Sequence, residues 1–263
     1  MSIMKQLADL EERGAAGVLC TIIQSRGSTP RHTGSKMLVF ADGSFTGTVG
    51  GGEVENRVRQ EAIQALQDGK PRLLKYDMVD PKKGDPGVCG GQLEVFVEPF
   101  LPKPTLVVIG GGHVGKAVVH LAVWLGYRVA VSDDRVEFCT AEMNPGADDF
   151  YPVAMSDLPN HLNITPYTFL ILTTRGSNVD IEGLPTLLES EAGFIGLIGS
   201  KRRWLYTRKA LIESGVSEEK LNRVVSPIGL ELQAETPEEI AVSIMAQLIM
   251  LRNGGTGKNM QNE

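Results

Sequence analysis

Long apolar runs are missing from this sequence: none approaches the ~18 residues that a membrane-crossing helix needs, so no bilayer span is expected. Cysteine is scarce. The three present, Cys20, Cys89 and Cys139, form an odd set without metal-ligand spacing, which excludes a disulfide scaffold and suits a reducing cytoplasm. Positive charge is in deficit as well, with 26 Lys and Arg against 32 Asp and Glu for a net charge of −6. That balance argues against non-specific nucleic-acid binding, which draws on a basic surface. Residues Met1 to Arg13 carry Lys5, Asp9, Glu11, Glu12 and Arg13 and lack the apolar stretch of a signal peptide, so a cytoplasmic location is expected.

Glycine, by contrast, is abundant: 30 of 263 residues, about 11% against a usual ~7%. The glycines bunch at Gly47–Gly52, Gly84–Gly91, Gly110–Gly115 and Gly193–Gly199, each beside a short apolar run. Between the second and third bunches lies Glu98-Pro99-Phe100-Leu101-Pro102-Lys103-Pro104, where three prolines in six residues read as a semi-rigid linker. The expected organisation is an α+β domain over 1–100, a linker over 101–104, a Rossmann-like parallel-sheet domain over 105–252 and a flexible tail over 253–263.

In the first half, the patterning predicts a helix over Ile3–Arg13 and strands over Gly17–Gln24, Lys36–Phe40, Arg72–Tyr76 and Gln92–Val97. Asp42-Gly43 supplies a hairpin turn. Val54, Val58, Ala62 and Leu66 recur every four positions, a helix face over Glu53–Leu66. The second half alternates strand and helix: strands over Thr105–Ile109, Tyr127–Ser132, Thr168–Thr173 and Gly193–Ile198, with a helix over His113–Leu125. Such alternation implies a parallel sheet covered on both faces. Thr236-Pro237-Glu238-Glu239 carries a capping box with Pro at N1, starting a last helix whose apolar face is Ile240, Ile244, Leu248 and Leu251.

Gly110-Gly111-Gly112-His113-Val114-Gly115 satisfies G-x-G-x-x-G, follows the strand Leu106–Ile109, opens a helix and is followed 23 positions on by Asp133. In that context the glycines let a backbone approach a pyrophosphate, the helix N-terminus faces its charge, and an acid meets a ribose hydroxyl. NAD(P) or a similar nucleotide is one reading and a tight strand–helix turn without ligand the other. Asp134 is the rival ribose contact, Arg135 suits a 2′-phosphate, and His113 either caps the turn or touches the ligand. Parallel strands deliver their carboxyl ends to one edge, so Thr174 and Arg175, and Gly199, Ser200 and Lys201, are expected to gather there. With Arg202 and Arg203, Lys201 marks either an anion site or a solvated basic surface.

The first half has its own candidates. Gly50-Gly51-Gly52 at a helix N-terminus exposes amide N–H groups, a cradle for phosphate. Glu53 and Glu55 would repel an anion there unless Arg31 or a metal intervenes. Cys89, in Gly87-Val88-Cys89-Gly90-Gly91, is either a small residue in a tight loop or an accessible thiol able to bind a soft metal or carry sulfur, whereas Cys20 sits in a strand as packing. No Cys–His or Ser–His–Asp set can be assigned, so nucleophilic hydrolysis has no support.

Six stretches in order resemble the xanthine dehydrogenase accessory factor family (XdhC/CoxI): GSTPRHTGSKMLV (27–39), GTVGGGEVE (47–55), GVCGG (87–91), GGGHVG (110–115), IGLIGSKRR (195–203) and SPIGLELQAETPEEIAVSI (226–244). One departure is Leu230-Glu231-Leu232-Gln233-Ala234, where the family pattern is Asp-Ile-Gly-Ala. The resemblance implies a cytoplasmic maturation factor in purine catabolism. Such a factor binds molybdenum cofactor, supports its sulfuration with a cysteine desulfurase and delivers it to a xanthine dehydrogenase-type apoenzyme, with a homodimer as the assembly. Cys89 would then be a candidate contact to molybdenum. The alternative is an NAD(P)-dependent oxidoreductase using the glycine turn and Asp133.

Overall fold

The computed structural model describes residues 2–78 and 90–262, and these fall into two compact units, Met1–Pro102 and Lys103–Glu263.

The first unit runs α1 (Ile3–Glu12), β1 (Gly17–Arg26), β2 (Lys36–Phe40), β3 (Phe45–Gly47), α2 (Gly52–Asp68), β4 (Arg72–Asp77) and β5 (Gln92–Phe100). The strands form one antiparallel sheet in the order β3-β2-β1-β5-β4. Side chains alternate across a strand, so Val18, Cys20 and Ile22 of β1 face Val54, Val58, Ala62 and Ala65 of α2 in one core. The four-residue periodicity of α2 is therefore its buried stripe, as expected from the sequence. The hairpin turn at Asp42-Gly43 joins β2 to β3, with the Asp42 carboxylate accepting from the Ser44 N–H (2.9 Å). Pairing of β1 with β5 shifts register between Ile22 and Gln24, which leaves Ile23 as an exposed extra residue just before the loop at Gly27.

β5 runs through Pro99 to Phe100, up to the linker expected over 101–104. β4 stops pairing at Val97, so Pro99 lies on a stretch paired with β1 alone, an edge position where proline is tolerated.

The second unit runs β6 (Thr105–Ile109), α3 (His113–Trp124), β7 (Arg128–Ser132), β8 (Asp149–Tyr151), β9 (Thr168–Leu172), α4 (Ser177–Leu188), β10 (Phe194–Leu197), α5 (Lys201–Glu213), α6 (Glu218–Leu221), β11 (Val224–Val225) and α7 (Pro237–Asn253). All six strands are parallel, in the order β11-β10-β9-β6-β7-β8. This is the doubly wound arrangement in which the chain leaves the first strand in both directions, opening a crevice at the carboxyl ends beside β6. One face packs Val107, Ala130, Leu170 and Leu172 against Leu184 and Leu187 of α4 and Leu211 of α5. The other packs Leu106, Val108, Val129 and Val131 against Val118, Val119 and Ala122 of α3 and Ile244 and Leu248 of α7. Both faces are covered, as the alternation predicts.

The capping box of α7 is formed: Thr236 Oγ1 accepts from the Glu239 N–H (3.2 Å), and the Glu239 carboxylate accepts from the Thr236 N–H (3.2 Å). Leu251 departs from the expected apolar face and is exposed, because it falls in the last turn, beyond the buried residues that end at Leu248. Among the described residues no helix is long and apolar enough to cross a membrane.

Candidate functional site

Each unit builds a glycine-lined helix N-terminus, and the two differ in what surrounds them.

In the first unit, the antiparallel pairing brings the end of β1, the start of β2, the end of β3 and the start of β5 to one edge of the sheet. Their loops pack on one another. A Cβ on Gly91 would overlap the Ser28 carbonyl oxygen and come within 2.6 Å of Thr29 Cγ2, and one on Gly50 would lie 3.1 Å from Pro30 Cγ. Three sequence motifs far apart in the chain thus meet: the loop at Gly27–Arg31, the run Gly50–Gly52, and Gly90–Gly91. Gly50, Gly51 and Gly52 all have positive φ (145°, 76° and 59°), a path that side-chain-bearing residues resist. Gly51 is the N-cap of α2 and no side chain caps that end, so its first amides are free for an anion.

The two acids at this helix start are engaged elsewhere. Glu53 pairs with Arg57 at 2.9 Å, which holds its carboxyl below the usual range, and Glu55 accepts from Thr48 Oγ1 at 2.6 Å. The expected repulsion of an anion is weakened to that extent. Arg31 is exposed on the converging loop and pairs with no carboxylate among the described residues. Cys89 lies outside the described residues.

In the second unit, the turn Gly110–Gly115 assigns a separate task to each fingerprint glycine. Gly110 has φ 111°, and a Cβ there would sit 2.6 Å from the Thr173 carbonyl oxygen. A Cβ on Gly115 would overlap the Gly110 carbonyl oxygen, so this glycine lets α3 close onto β6. Gly112, the N-cap of α3, faces open space and has no side-chain cap, which leaves room for a ligand at bare amides. His113 is exposed at the first position of α3, with Val114 half-buried beside it.

The acids after β7 divide the work differently from the expectation. Asp133 is buried. Its Oδ2 accepts from the Gly111 N–H (2.9 Å) and Arg135 Nη2 (2.8 Å), and its Oδ1 from the Arg135 N–H and Nε (both 3.0 Å). All its ordinary acceptor positions are filled by the chain itself, so it braces the glycine turn, and Arg135 is drawn to it and stacked over Phe138. Asp134 is half-exposed and pairs with Arg175 at 2.5 Å and 2.8 Å, joining the loops after β7 and β9. That hydrogen-bonded guanidinium pulls its carboxyl down to about 2.

Thr174 and the basic cluster show a structural role that the spacing did not reveal. The fully buried Asp180 of α4 accepts from Thr174 Oγ1 and from Arg203 Nε (3.0 Å) and Nη2 (2.7 Å). Arg203 also donates to the Thr174 carbonyl (3.2 Å) and hydroxyl (2.6 Å). Arg203 is thus a tie between α4, α5 and the loop after β9, not a member of an anion site, whereas Lys201 and Arg202 are exposed. Ser200 is the N-cap of α5, with its hydroxyl accepting from the Arg203 N–H (3.2 Å), and a Cβ on Gly199 would lie 2.9 Å from Arg203 Cδ. The Ser200 hydroxyl thus takes one of the amides that start α5.

Both described thiols are buried, and desolvation pushes Cys20 up to about 12 and raises Cys139. Among the described residues no group of three or more His, Cys, Asp or Glu could hold a metal ion.

Comparison with known proteins fits this architecture. Residues 106–248 match the model for the XdhC Rossmann domain, and residues 10–77 match that for the XdhC and CoxI family. The chain is 38% identical to the uncharacterized protein YqeB of Escherichia coli (strain K12) over 98% of its own length and 47% of that protein. It is 31% identical to a probable xanthine dehydrogenase subunit of Bacillus subtilis (strain 168) over 60% of its length and 46% of that protein, so it spans about half of either relative. Identity is 24% to the molybdenum cofactor insertion chaperone PaoD of Escherichia coli (strain K12), covering 91% of this chain and 84% of that one. A crystal structure described as a xanthine dehydrogenase from Bacillus halodurans is similar at a TM-score of 0.52 and 25% identity, covering 100% of this chain and 98% of that one. The chain belongs to the XdhC and CoxI family, its second unit being that family's Rossmann domain.

Proposed function

We propose that this chain is a molybdenum cofactor carrier. On this reading it binds the pterin cofactor through its phosphate, supports sulfuration with a cysteine desulfurase as partner, and passes the product to a xanthine dehydrogenase-type apoenzyme. The observation that carries the reading is the meeting of Gly27–Arg31, Gly50–Gly52 and Gly90–Gly91 around the uncapped start of α2. Successive amides with positive φ, next to an Arg31 that has no carboxylate partner among the described residues, suit a phosphate. The insertion chaperone among the relatives, whose match covers most of both chains, supports the same assignment.

The residues present fit the cofactor's phosphate end. When bound, the cofactor supplies a molybdenum already held by its own dithiolene sulfurs. The chain's part is to neutralise the phosphate with amides and Arg31, to shield the pterin with the packed loops, and to offer Cys89 as the thiol beside Gly90-Gly91 in sequence. Loading purified full chain with molybdenum cofactor and separating bound from free by gel filtration tests this. One pterin and one molybdenum per chain are expected, with Arg31→Ala losing most of the cofactor and Cys89→Ser losing sulfur delivery. Absence of binding at saturating cofactor refutes the proposal. The same column reports whether the chain runs as the homodimer that the resemblance implies.

A second reading, an NAD(P)-dependent oxidoreductase, draws on the open Gly112 and the tight Gly115. Its ribose contact would fall to Asp134, since Asp133 is saturated by the chain's own donors. Nicotinamide fluorescence titration with a hydride-transfer assay decides it.

A further inference from the structure

Of the run Lys201-Arg202-Arg203, the fold takes up Arg203 and leaves its two neighbours outside. Lys201 and Arg202 are exposed, and neither pairs with a carboxylate among the described residues. They hold the first two positions of α5, where the helix dipole opposes positive charge, so helix stability does not account for them. Solubility does not either, since the chain already carries a net charge of −6. The same side of α5 continues as an apolar patch. Trp204 packs against the core and Thr207 and Leu211 are buried, whereas Leu205 and Tyr206 keep 66% and 60% of their surface exposed. Residues three and four apart share a helix face, so Arg202, Leu205, Tyr206 and Lys209 form one stripe with Lys201 at its head. Lys209 is exposed and makes a loose pair with Glu213 of its own helix (3.8 Å).

We propose that this face of α5 is a docking surface for an acidic protein partner, whose carboxylates meet Lys201, Arg202 and Lys209 around an apolar hollow that takes Leu205 and Tyr206. On the carrier reading, on which this inference rests, the partner is the xanthine dehydrogenase-type apoenzyme. Charge selects the occupant. Three cations around two large apolar groups, on a chain that is acidic elsewhere, complement a surface of opposite sign and steer its approach. Arg and Tyr are also the side chains that most often anchor such contacts once water is excluded. A bilayer fits less well. Helices that lie on membranes bury a broad apolar face of Trp, Phe and Leu, and here Trp204 is turned inward, leaving Leu205 and Tyr206 to do that work.

Surface plasmon resonance of the purified full chain against purified xanthine dehydrogenase-type apoenzyme tests the proposal. Binding that weakens with added salt is expected. Joint Lys201→Glu and Arg202→Glu substitution is expected to weaken it about tenfold or more. The thermal midpoint of that variant should hold or rise, because acids suit a helix start, so the loss cannot be one of folding. Leu205→Ser, at an exposed position, is expected to weaken binding about tenfold at unchanged stability. Reversing Lys5 and Lys258, exposed cations outside α5, is expected to leave binding as it was. No apoenzyme binding, unchanged affinity in either α5 variant, an equal loss in the Lys5 and Lys258 control, or α5-dependent binding to phosphatidylserine vesicles in place of the apoenzyme overturns the inference. Molybdenum cofactor loading of the same preparations separates the two proposals. A chain that loads cofactor but ignores the apoenzyme overturns this inference alone, and one that binds apoenzyme through α5 but takes up no cofactor overturns the carrier reading alone.

Discussion

Arginine 203 holds the loop after β9 in place, and replacing it with leucine isolates the cause. Asp180 has no exposed side-chain surface, and its partners are Thr174 Oγ1 and the Arg203 guanidinium. Arg203→Leu keeps the aliphatic stem but leaves the Asp180 charge buried without a cation. Breaking a buried pair in this way costs about 3–5 kcal/mol. For a unit of this size, each kcal/mol moves the midpoint by roughly 2–4 °C, so unfolding of the second unit is expected about 10 °C lower. Asp180→Asn in the Arg203→Leu background removes the stranded charge and is expected to recover about half of the loss. Differential scanning calorimetry on the three variants reads both numbers. A single variant within 2–3 °C of the parent, or a double variant no better than the single, refutes the reasoning that Arg203 serves the fold.

Three further outcomes follow from the geometry. Gly115→Ala forces a Cβ onto the Gly110 carbonyl oxygen and is expected to cost about 2 kcal/mol or more, whereas Gly112→Ala, in open space, stays within about 1 kcal/mol in urea unfolding; the reverse order contradicts the assigned roles. Asp134, held down to about 2 by Arg175, contributes stability that is complete above about pH 4 and is lost as pH falls through 2. Because the pair is half-exposed, Asp134→Asn should differ from the parent by under about 1 kcal/mol above pH 4, and the difference should shrink steadily below pH 4 and vanish only below pH 2; a pH-independent difference speaks against the pair. Cys20, pushed up to about 12 by burial, should resist iodoacetamide at pH 8.5 in the native chain and react once unfolded, and rapid native labelling would contradict its burial.

What the sequence made legible is what local pattern controls. The period-four stripe of α2, the capping box of α7 and the strand–glycine–helix passage at Ile109–His113 each depend on residues a few positions apart. The first unit's sheet and the doubly wound second unit follow from such patterns. What could not be read depends on partners far apart in the chain. Nothing near Asp133 signals that Gly111 will consume one of its lone pairs, and nothing near Arg203 signals a buried acid 23 positions earlier. A serine ending an apolar strand, such as Ser132, carries no local signal that its hydroxyl will be buried without a partner among the described residues. Asp180, in the first turn of α4, reads from sequence as an ordinary helix-dipole acid.

The carrier role is tested most directly by equilibrium binding of molybdenum cofactor to the purified full chain, with Arg31→Ala run beside it. One cofactor per chain, lost in the variant while its thermal midpoint stays put, is the expected result. A chain that stays empty at saturating cofactor, or a variant that loads as well as the parent, contradicts the placement of the phosphate at Gly50–Gly52 and Arg31.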